Sequence, residues 1–361
     1  MTRRDERALQ RRGVRAAIRR TYHDVARHRV IDESGALTFF GTLALFPAAL
    51  TVMSTFAILH SKDGGLTIAV DVVGVLFRKS VAEHLRGPLQ QLLHMQNPWV
   101  GLALGLVLTT WSLSSYATSF GRTMDSAYDV QEGRRIWRFR SRMVGVALLL
   151  MGGTAIALVV LFGTPSVARS ICERQLHLPS AWALVWDIGK WPVLVAVLVV
   201  MVAVLYSATP IVRPPAWRWV SAGAAFAIIV WALATVGFTA YVQTLGGSTR
   251  SYGWLGGGIL LLAYLYVSNF VLVVGGEFDT EMIRQRQLFA DIDAVSRIPL
   301  PFRDTKRLAA IARWKREDEE TAAQIRHDAR RFPPDSDGER EAERELREAA
   351  SRRNVDDSVG R

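Results

Sequence analysis

Six apolar stretches, each long enough to cross a lipid bilayer, run from Ala36 to Gly276 and constrain this chain more than any other feature. A hydrocarbon core about 30 Å thick needs roughly 20 helical residues. The stretches occupy 36–59, 98–120, 143–163, 190–208, 219–242 and 254–276. Every backbone amide inside lipid must be paired within the chain, so these spans are helices. The expected fold is all-α: a polytopic membrane helical bundle of six transmembrane helices. A surface or re-entrant helical segment is expected between spans one and two, with charged cytoplasmic tails at both ends. The chain accordingly divides into a basic amphipathic segment (1–33), a membrane domain (34–285) and a charged, partly disordered tail (286–361).

Charge orients the spans. The chain holds 44 Lys+Arg against 33 Asp+Glu, and the basic residues alternate between loops. Residues 1–33, 121–142 and 209–218 carry ten, six and two Lys or Arg, whereas 60–97, 164–183 and 243–253 carry four, two and one. That asymmetry predicts cytoplasmic termini. The net charge of +11 fits the anionic inner leaflet better than nucleic acid, because the arginines sit beside apolar spans. Cys172, in a predicted external loop, is the only cysteine, so no intramolecular disulfide forms. The N-terminus lacks the short apolar core and small-residue cleavage site of a signal peptide.

Within 8–31, Leu9, Val14, Ile18, Tyr22 and Val25 recur at helical spacing among Arg11, Arg12, Arg15, Arg19 and Arg20. This reads as a basic amphipathic helix on the inner surface, with a merely solvated charged helix as the alternative. Span one contains Gly41 and Pro47, and the proline removes a helix hydrogen bond and favours a bend. Leu66–Phe77 is apolar apart from Asp71 but too short to cross, so it should lie in the outer interface or re-enter. Residues 81–93 add a second amphipathic piece. Trp99, Trp182, Trp186, Trp191, Trp217, Trp219 and Trp254 fall near span ends, where amphipathic rings settle. From Phe278 the chain carries 18 Lys+Arg and 19 Asp+Glu in 84 residues, with helices expected at 305–331 and 338–350.

Span two bears a hydroxyl stripe: Ser112, Ser115, Tyr116, Ser119 and Thr123. Such hydroxyls either glue helices together or line a wet path. The same span holds Gly101 and Gly105, a close-packing pair, and continues into Arg122, Asp125 and Asp129. Span six carries Tyr264, Tyr266 and Asn269 and ends at Gly275-Gly276-Glu277; Asn269, Val273 and Glu277 share one face. A carboxylate against an apolar run is costly unless it finds a cation or water. Arg122 and Glu277 are therefore expected to face each other, or Glu277 to face water. Candidate substrate-path residues are Pro47, Ser112, Ser115, Tyr116, Ser119, Arg122, Asp125, Tyr266, Asn269 and Glu277. No HExxH pair, G-x-S-x-G elbow or Walker-type loop occurs. No cofactor, metal site or catalytic residue is expected, and no motif fixes an oligomeric state.

Three sequence blocks carry a family resemblance: Ser34 through Pro47; Asp125-Ser-Ala-Tyr128 with Glu132 and Arg134; and Tyr241-Val, Tyr252-Gly-Trp-Leu-Gly256, Leu-Tyr266 and Gly-Gly-Glu277-Phe-Asp279. Over roughly 15–285 the chain resembles the YihY/BrkB family of bacterial inner-membrane proteins, once mislabelled as ribonuclease BN. Departures are local: Ala222-Gly223-Ala224 where the family often has Pro-Gly-Ala, Tyr264-Leu-Tyr266 for Trp-Leu-Tyr, and Gly275-Gly-Glu-Phe-Asp279 for Gly-Ala-Glu-Leu-Asn. The resemblance implies a six-helix inner-membrane protein with no settled activity, linked in name to virulence and suspected of moving envelope lipids. The residues lend ribonuclease chemistry no support.

The leading expectation is therefore a transporter or flippase of an amphipathic, anionic envelope lipid or precursor. Arg122 would meet the head group, and Glu277 would balance Arg122 or accept a coupling proton. The alternatives are a scaffold whose charged tails recruit cytoplasmic partners and, last, an embedded enzyme using Asp125 and Glu277 on lipid head groups.

Overall fold

The structure, a computed structural model, describes residues 3–59, 97–130, 132–162, 181–213, 221–245, 253–329, 341–342 and 344–348. Eight long helices follow in order: α1 (Arg3–Arg27), α2 (Val30–Leu59), α3 (Pro98–Ala127), α4 (Ile136–Phe162), α5 (Ala181–Ala208), α6 (Ala222–Leu245), α7 (Gly253–Phe289) and α8 (Lys306–Ala329). Helices α2 to α7 contain six segments long and apolar enough to cross a membrane, so the chain is a multi-pass membrane protein. Among the described residues, β structure is limited to one isolated antiparallel bridge between Val212 and Phe302. The proposed surface or re-entrant segment at 60–97, Cys172, Trp217, Trp219 and Pro333-Pro334 lie outside the described residues, apart from Asn97.

Two compact units arise, residues Met1–Thr305 and Lys306–Arg361. In the first, the six spanning helices close into a ring. Each packs on its sequence neighbour, and α7 returns to meet α2. α2 and α3 share the longest interface, and α7 also reaches α3 across the ring. In the second unit, α8 is a solvated helix with no buried residue.

Large apolar side chains point outward. Phe46, Val107, Trp111, Val159, Leu233 and Val236 are all exposed. In water this girdle would be an aggregation surface; in a bilayer it meets hydrocarbon as apolar as itself. The buried core gathers toward the end that carries α1, around Leu37, Phe120, Met124, Met143, Tyr206 and Val273.

Small residues set the helix spacing. A Cβ on Gly105 would lie 2.6 Å from Thr51 Oγ1 and 2.8 Å from the Thr51 backbone nitrogen, so α3 and α2 touch backbone to backbone. Pro47 sits within α2, and Thr51 Oγ1 donates to its carbonyl at 2.9 Å. At the other interface, a Cβ on Gly275 would meet Ala227 Cβ and the Tyr206 hydroxyl, each at 2.5 Å.

α7 is 37 residues long, about 55 Å at 1.5 Å per residue, well beyond a bilayer core. Its surplus lies at the C-terminal end, where α1 packs against it. Gly13 lies against Phe289 and Gln285, Arg20 reaches Glu281 at 3.5 Å, and His28 reaches Glu277. Rising numbers on α1 meet falling numbers on α7, so the two run antiparallel. α1 turns its Gly13–Ala17–Thr21 face to α7, while Val14, Ile18 and Tyr22, the apolar stripe read from the sequence as facing the inner surface, stay exposed.

Gly105→Ala should lower stability by about 1–3 kcal/mol through overpacking against Thr51. Gly145, on α4, has nothing within 4 Å of an added Cβ. Gly145→Ala should be neutral or stabilising by up to about 1 kcal/mol through helix propensity. Thermal unfolding in mild detergent measures both.

Candidate functional site

The polar groups collect on the inner face of α7, which presents Asn269, Glu277 and Glu281 in descending turns. Asn269 is buried within the bundle. Its amide donates from Nδ2 to Thr38 Oγ1 at 3.1 Å, and its carbonyl Oδ1 accepts from the Tyr116 hydroxyl at 2.8 Å. One amide thus ties α2, α3 and α7 together and satisfies the hydrogen-bonding demand of a buried polar group. One layer toward the α1 end, Thr123 Oγ1 donates to Glu33 Oε2 at 2.9 Å, again joining α3 to α2.

Below this layer sits Glu277, 1 % exposed. His28 Nδ1 lies 2.9 Å from its Oε1. The other ring nitrogen, Nε2, stands 3.7 Å from Asp129 Oδ1, and Arg27 Nη2 donates to that same oxygen at 2.8 Å. Helix ends build this constellation. α3 stops with the Asp129 N–H bonding the Ser126 carbonyl and the Val130 N–H bonding the Asp125 carbonyl. That is a Schellman closure with Asp129 in the left-handed region at φ 54°. Glycine would hold this backbone at lower cost; Asp129 instead supplies a carboxylate to Arg27. Arg29 also lies in the left-handed region, at φ 52°, with its N–H bonding the Ala26 carbonyl, where α1 ends beside His28. The hydrogen bond to Glu277 raises the His28 pKa above the usual 6.5, against the opposing effect of burial.

Three further ionic groups flank the pair. Glu281 accepts from Arg284 Nε at 2.9 Å, with both side chains buried. Asp279 accepts the Gly223 backbone N–H at 3.1 Å, which explains the close approach of α6 to α7. Asp125 accepts the Ile211 N–H at 2.7 Å and lies 3.8 Å from Arg134 Nη2. Arg134 in turn grips Glu132, with Nη2 to Oε2 at 2.6 Å. Burial opposes ionisation of Glu132, but the hydrogen bonds from Arg134 hold its carboxyl below the usual range.

The structure brings Tyr116, Asn269 and Glu277 to one seam. Tyr266 joins it at the margin, its hydroxyl 3.5 Å from the Ile31 carbonyl. Ser112 is buried in α3, while Ser115 donates back to its own helix at Trp111 and Ser119 lends its carbonyl to Thr123. Pro47 lies higher on α2, away from the polar layers. The expected Arg122–Glu277 pair does not form. Arg122 is exposed, and six residues beyond Tyr116 place it about 240° around α3, facing away from α7. Asp125 likewise turns toward the chain after α5. His28, Thr38, Glu33, Arg134, Glu132 and Asp279 do the work that the sequence left unassigned. His28 was concealed by a charged segment, although its place just before the first span was a usable signal. Among the described residues, no group of three or more His, Cys, Asp or Glu is arranged to hold a metal ion.

His28→Ala leaves Glu277 buried without its cation, and breaking such a pair costs about 3–5 kcal/mol. Because the native His28 pKa is raised, its contribution is complete below pH 6.5 and is lost as pH rises through the higher native value. The unfolding temperature should therefore fall between neutral and alkaline pH. That slope should flatten in His28→Gln, as thermal melts across pH will show.

The model of one protein family, described as Virulence factor BrkB, matches residues 21–295. The ribonuclease-like protein YfkH of Bacillus subtilis (strain 168), whose label is itself provisional, is 27 % identical over 264 residues. That alignment spans 72 % of this chain and 93 % of YfkH. No solved structure matches the chain. The matched region takes in all six spanning helices and every residue of the buried seam, and the chain belongs to the Virulence factor BrkB family.

Proposed function

We propose that this protein moves an amphipathic, anionic envelope lipid or lipid precursor across the bacterial inner membrane, with both termini in the cytoplasm. The observation that carries the reading is the buried Glu277–His28 pair at the end of the α2–α3–α7 seam. A carboxylate in a membrane bundle costs several kcal/mol to bury. A purely structural pair is best served by arginine, which never loses its charge. Histidine gains and loses its proton near neutral pH, so the pair can be made and broken by the ion gradient available to such a protein. The Thr38–Asn269–Tyr116 network above it joins three helices through groups that can exchange partners with a polar head group. Orientation follows the basic loops: Arg27, Arg134, Arg142 and Arg213 all lie at the end that carries α1.

A scaffold is the second reading, and one observation favours it. Ser115 of the stripe bonds the Trp111 carbonyl one turn back on its own helix, as the neighbouring Thr118 bonds that of Ser114. Hydroxyls so occupied serve packing. In that case the charged tail would recruit partners. Catalysis on head groups is the weakest reading, since Asp125 and Glu277 are engaged by different partners, Ile211 and His28.

Proteoliposomes holding trace fluorescent phosphatidylglycerol separate the readings. Transport predicts that the full chain exposes inner-leaflet lipid to an external quencher faster than protein-free vesicles do. Glu277→Gln should slow this about tenfold, the loss of one interaction worth roughly 1.4 kcal/mol at the barrier. A chain ending at Thr305, the boundary of the first compact unit, should retain the activity. A rate equal to protein-free vesicles would leave the scaffold.

A further inference from the structure

We propose that Arg142, Arg213 and Arg303 form a binding site for a phosphate-bearing anion, either an acidic phospholipid head group or free phosphate, where α5 ends. This goes beyond the transport reading and does not require that any lipid be moved.

Three separate parts of the chain converge there. Residues 211–213 pair with 301–303 through the Val212–Phe302 bridge, with the Arg213 N–H bonding the Pro301 carbonyl and the Arg303 N–H bonding the Ile211 carbonyl, each at 2.9 Å. That pairing sets Arg213 opposite Pro301 and Arg303 opposite Ile211, so the two arginines lie diagonally on one face of the pair, near enough for the Arg213 charge to act on Arg303. From the second turn of α4, Arg142 reaches the same corner and donates Nε to the Ala208 carbonyl at 2.7 Å. Arg303 donates Nη2 to the Ser207 carbonyl at 2.6 Å and Nε to the Val212 carbonyl at 3.1 Å.

The charges do not cancel. Of the carboxylates at this corner, Asp125 and Glu132 face Arg134, and Asp304 faces Arg138 at 3.1 Å. Among the described residues, Arg142, Arg213 and Arg303 each lack an ion-pair partner. Burial, then the nearby charges of Arg142, Arg134 and Arg213, push Arg303 down to about 10. Capping the last carbonyls of α5 explains one bond from each of Arg142 and Arg303. It does not explain Arg213, whose side chain is exposed, nor like charges held together over a hydrophobic bundle. An anion among them relieves that repulsion. Each guanidinium carries five N–H donors, so Arg142 and Arg303 keep donors free for the planar, two-pronged grip that suits phosphate oxygens.

Position names the ligand class. Arg142 immediately precedes the apolar run that begins at Met143, and Ser207 and Ala208 close the apolar part of α5. The corner therefore sits at head-group depth, where phosphates are densest.

The test uses the full chain in mild detergent, offered phosphatidylglycerol or phosphatidylcholine at equal concentration and examined by native mass spectrometry. Phosphatidylglycerol should be retained over phosphatidylcholine. Retention should fall roughly tenfold in Arg213→Gln, the loss of one charge-assisted contact, and further in Arg142→Gln/Arg303→Gln. Arg213→Gln removes no side-chain bond to the described residues, so it should melt with the wild type and keep the test independent of folding. Displacement of the lipid by excess sodium phosphate identifies the head-group phosphate as the recognised feature. Stabilisation by phosphate over chloride at equal ionic strength, lost in Arg213→Gln and without lipid preference, identifies free phosphate as the ligand. Equal retention of both lipids with no phosphate effect, or retention unchanged in both variants, overturns the site.

Discussion

A carboxylate that is almost fully buried in a membrane bundle must have a partner, and the rest of this structure is arranged around supplying one to Glu277. Its partner His28 comes from the corner between α1 and α2, not from a neighbouring spanning helix. That choice explains why α7 outruns the membrane thickness and why α1 lies antiparallel along its surplus. Of the three charged residues with left-handed backbone at helix ends, Arg29 and Asp129 flank this pair, where glycine would be less costly. Arg27 and His28 are held on one side of Asp129 and Glu277, so the N-terminal helix is clasped to the bundle through charge.

The polar layers are graded along the ring. Midway, neutral groups (Thr38, Asn269 and Tyr116) satisfy one another, where a charge would be most expensive. Nearer the α1 end, Glu33 and Thr123 meet, and then the ionised groups appear. Outward, the surface is apolar and needs no complement beyond lipid. Close packing makes the grading possible: Gly105 against Thr51, and Gly223 against Gly275 and Asp279, bring backbones near enough for short side chains to reach across.

Much of this was legible in the chain itself. Length and hydropathy yield six spans because the bilayer fixes how long an apolar helix must be. The four-residue spacing of Asn269, Val273 and Glu277 places them on one face, and the structure keeps them there. Partners were not legible. Helical rotation turns Arg122 outward, but choosing His28 over Arg122 depends on the α1–α2 corner, a tertiary feature set by one left-handed residue. Likewise Asp125 Oδ1 accepts a backbone N–H after α5, and no side-chain pattern announces a backbone donor some 86 residues away. The antiparallel packing of α1 was hidden because the face it turns to α7 is made of small residues, Gly13, Ala17 and Thr21, and not of the bulky apolar stripe that helical spacing picks out.

A double-mutant cycle on unfolding free energy in detergent, using His28→Gln, Glu277→Gln and the double variant, tests the central claim most directly. If the two side chains form the pair on which the α1 end depends, the single losses should not add, with a coupling of about 1–3 kcal/mol. Additivity within roughly 0.5 kcal/mol would mean that His28 and Glu277 do not sense each other, and would contradict the account.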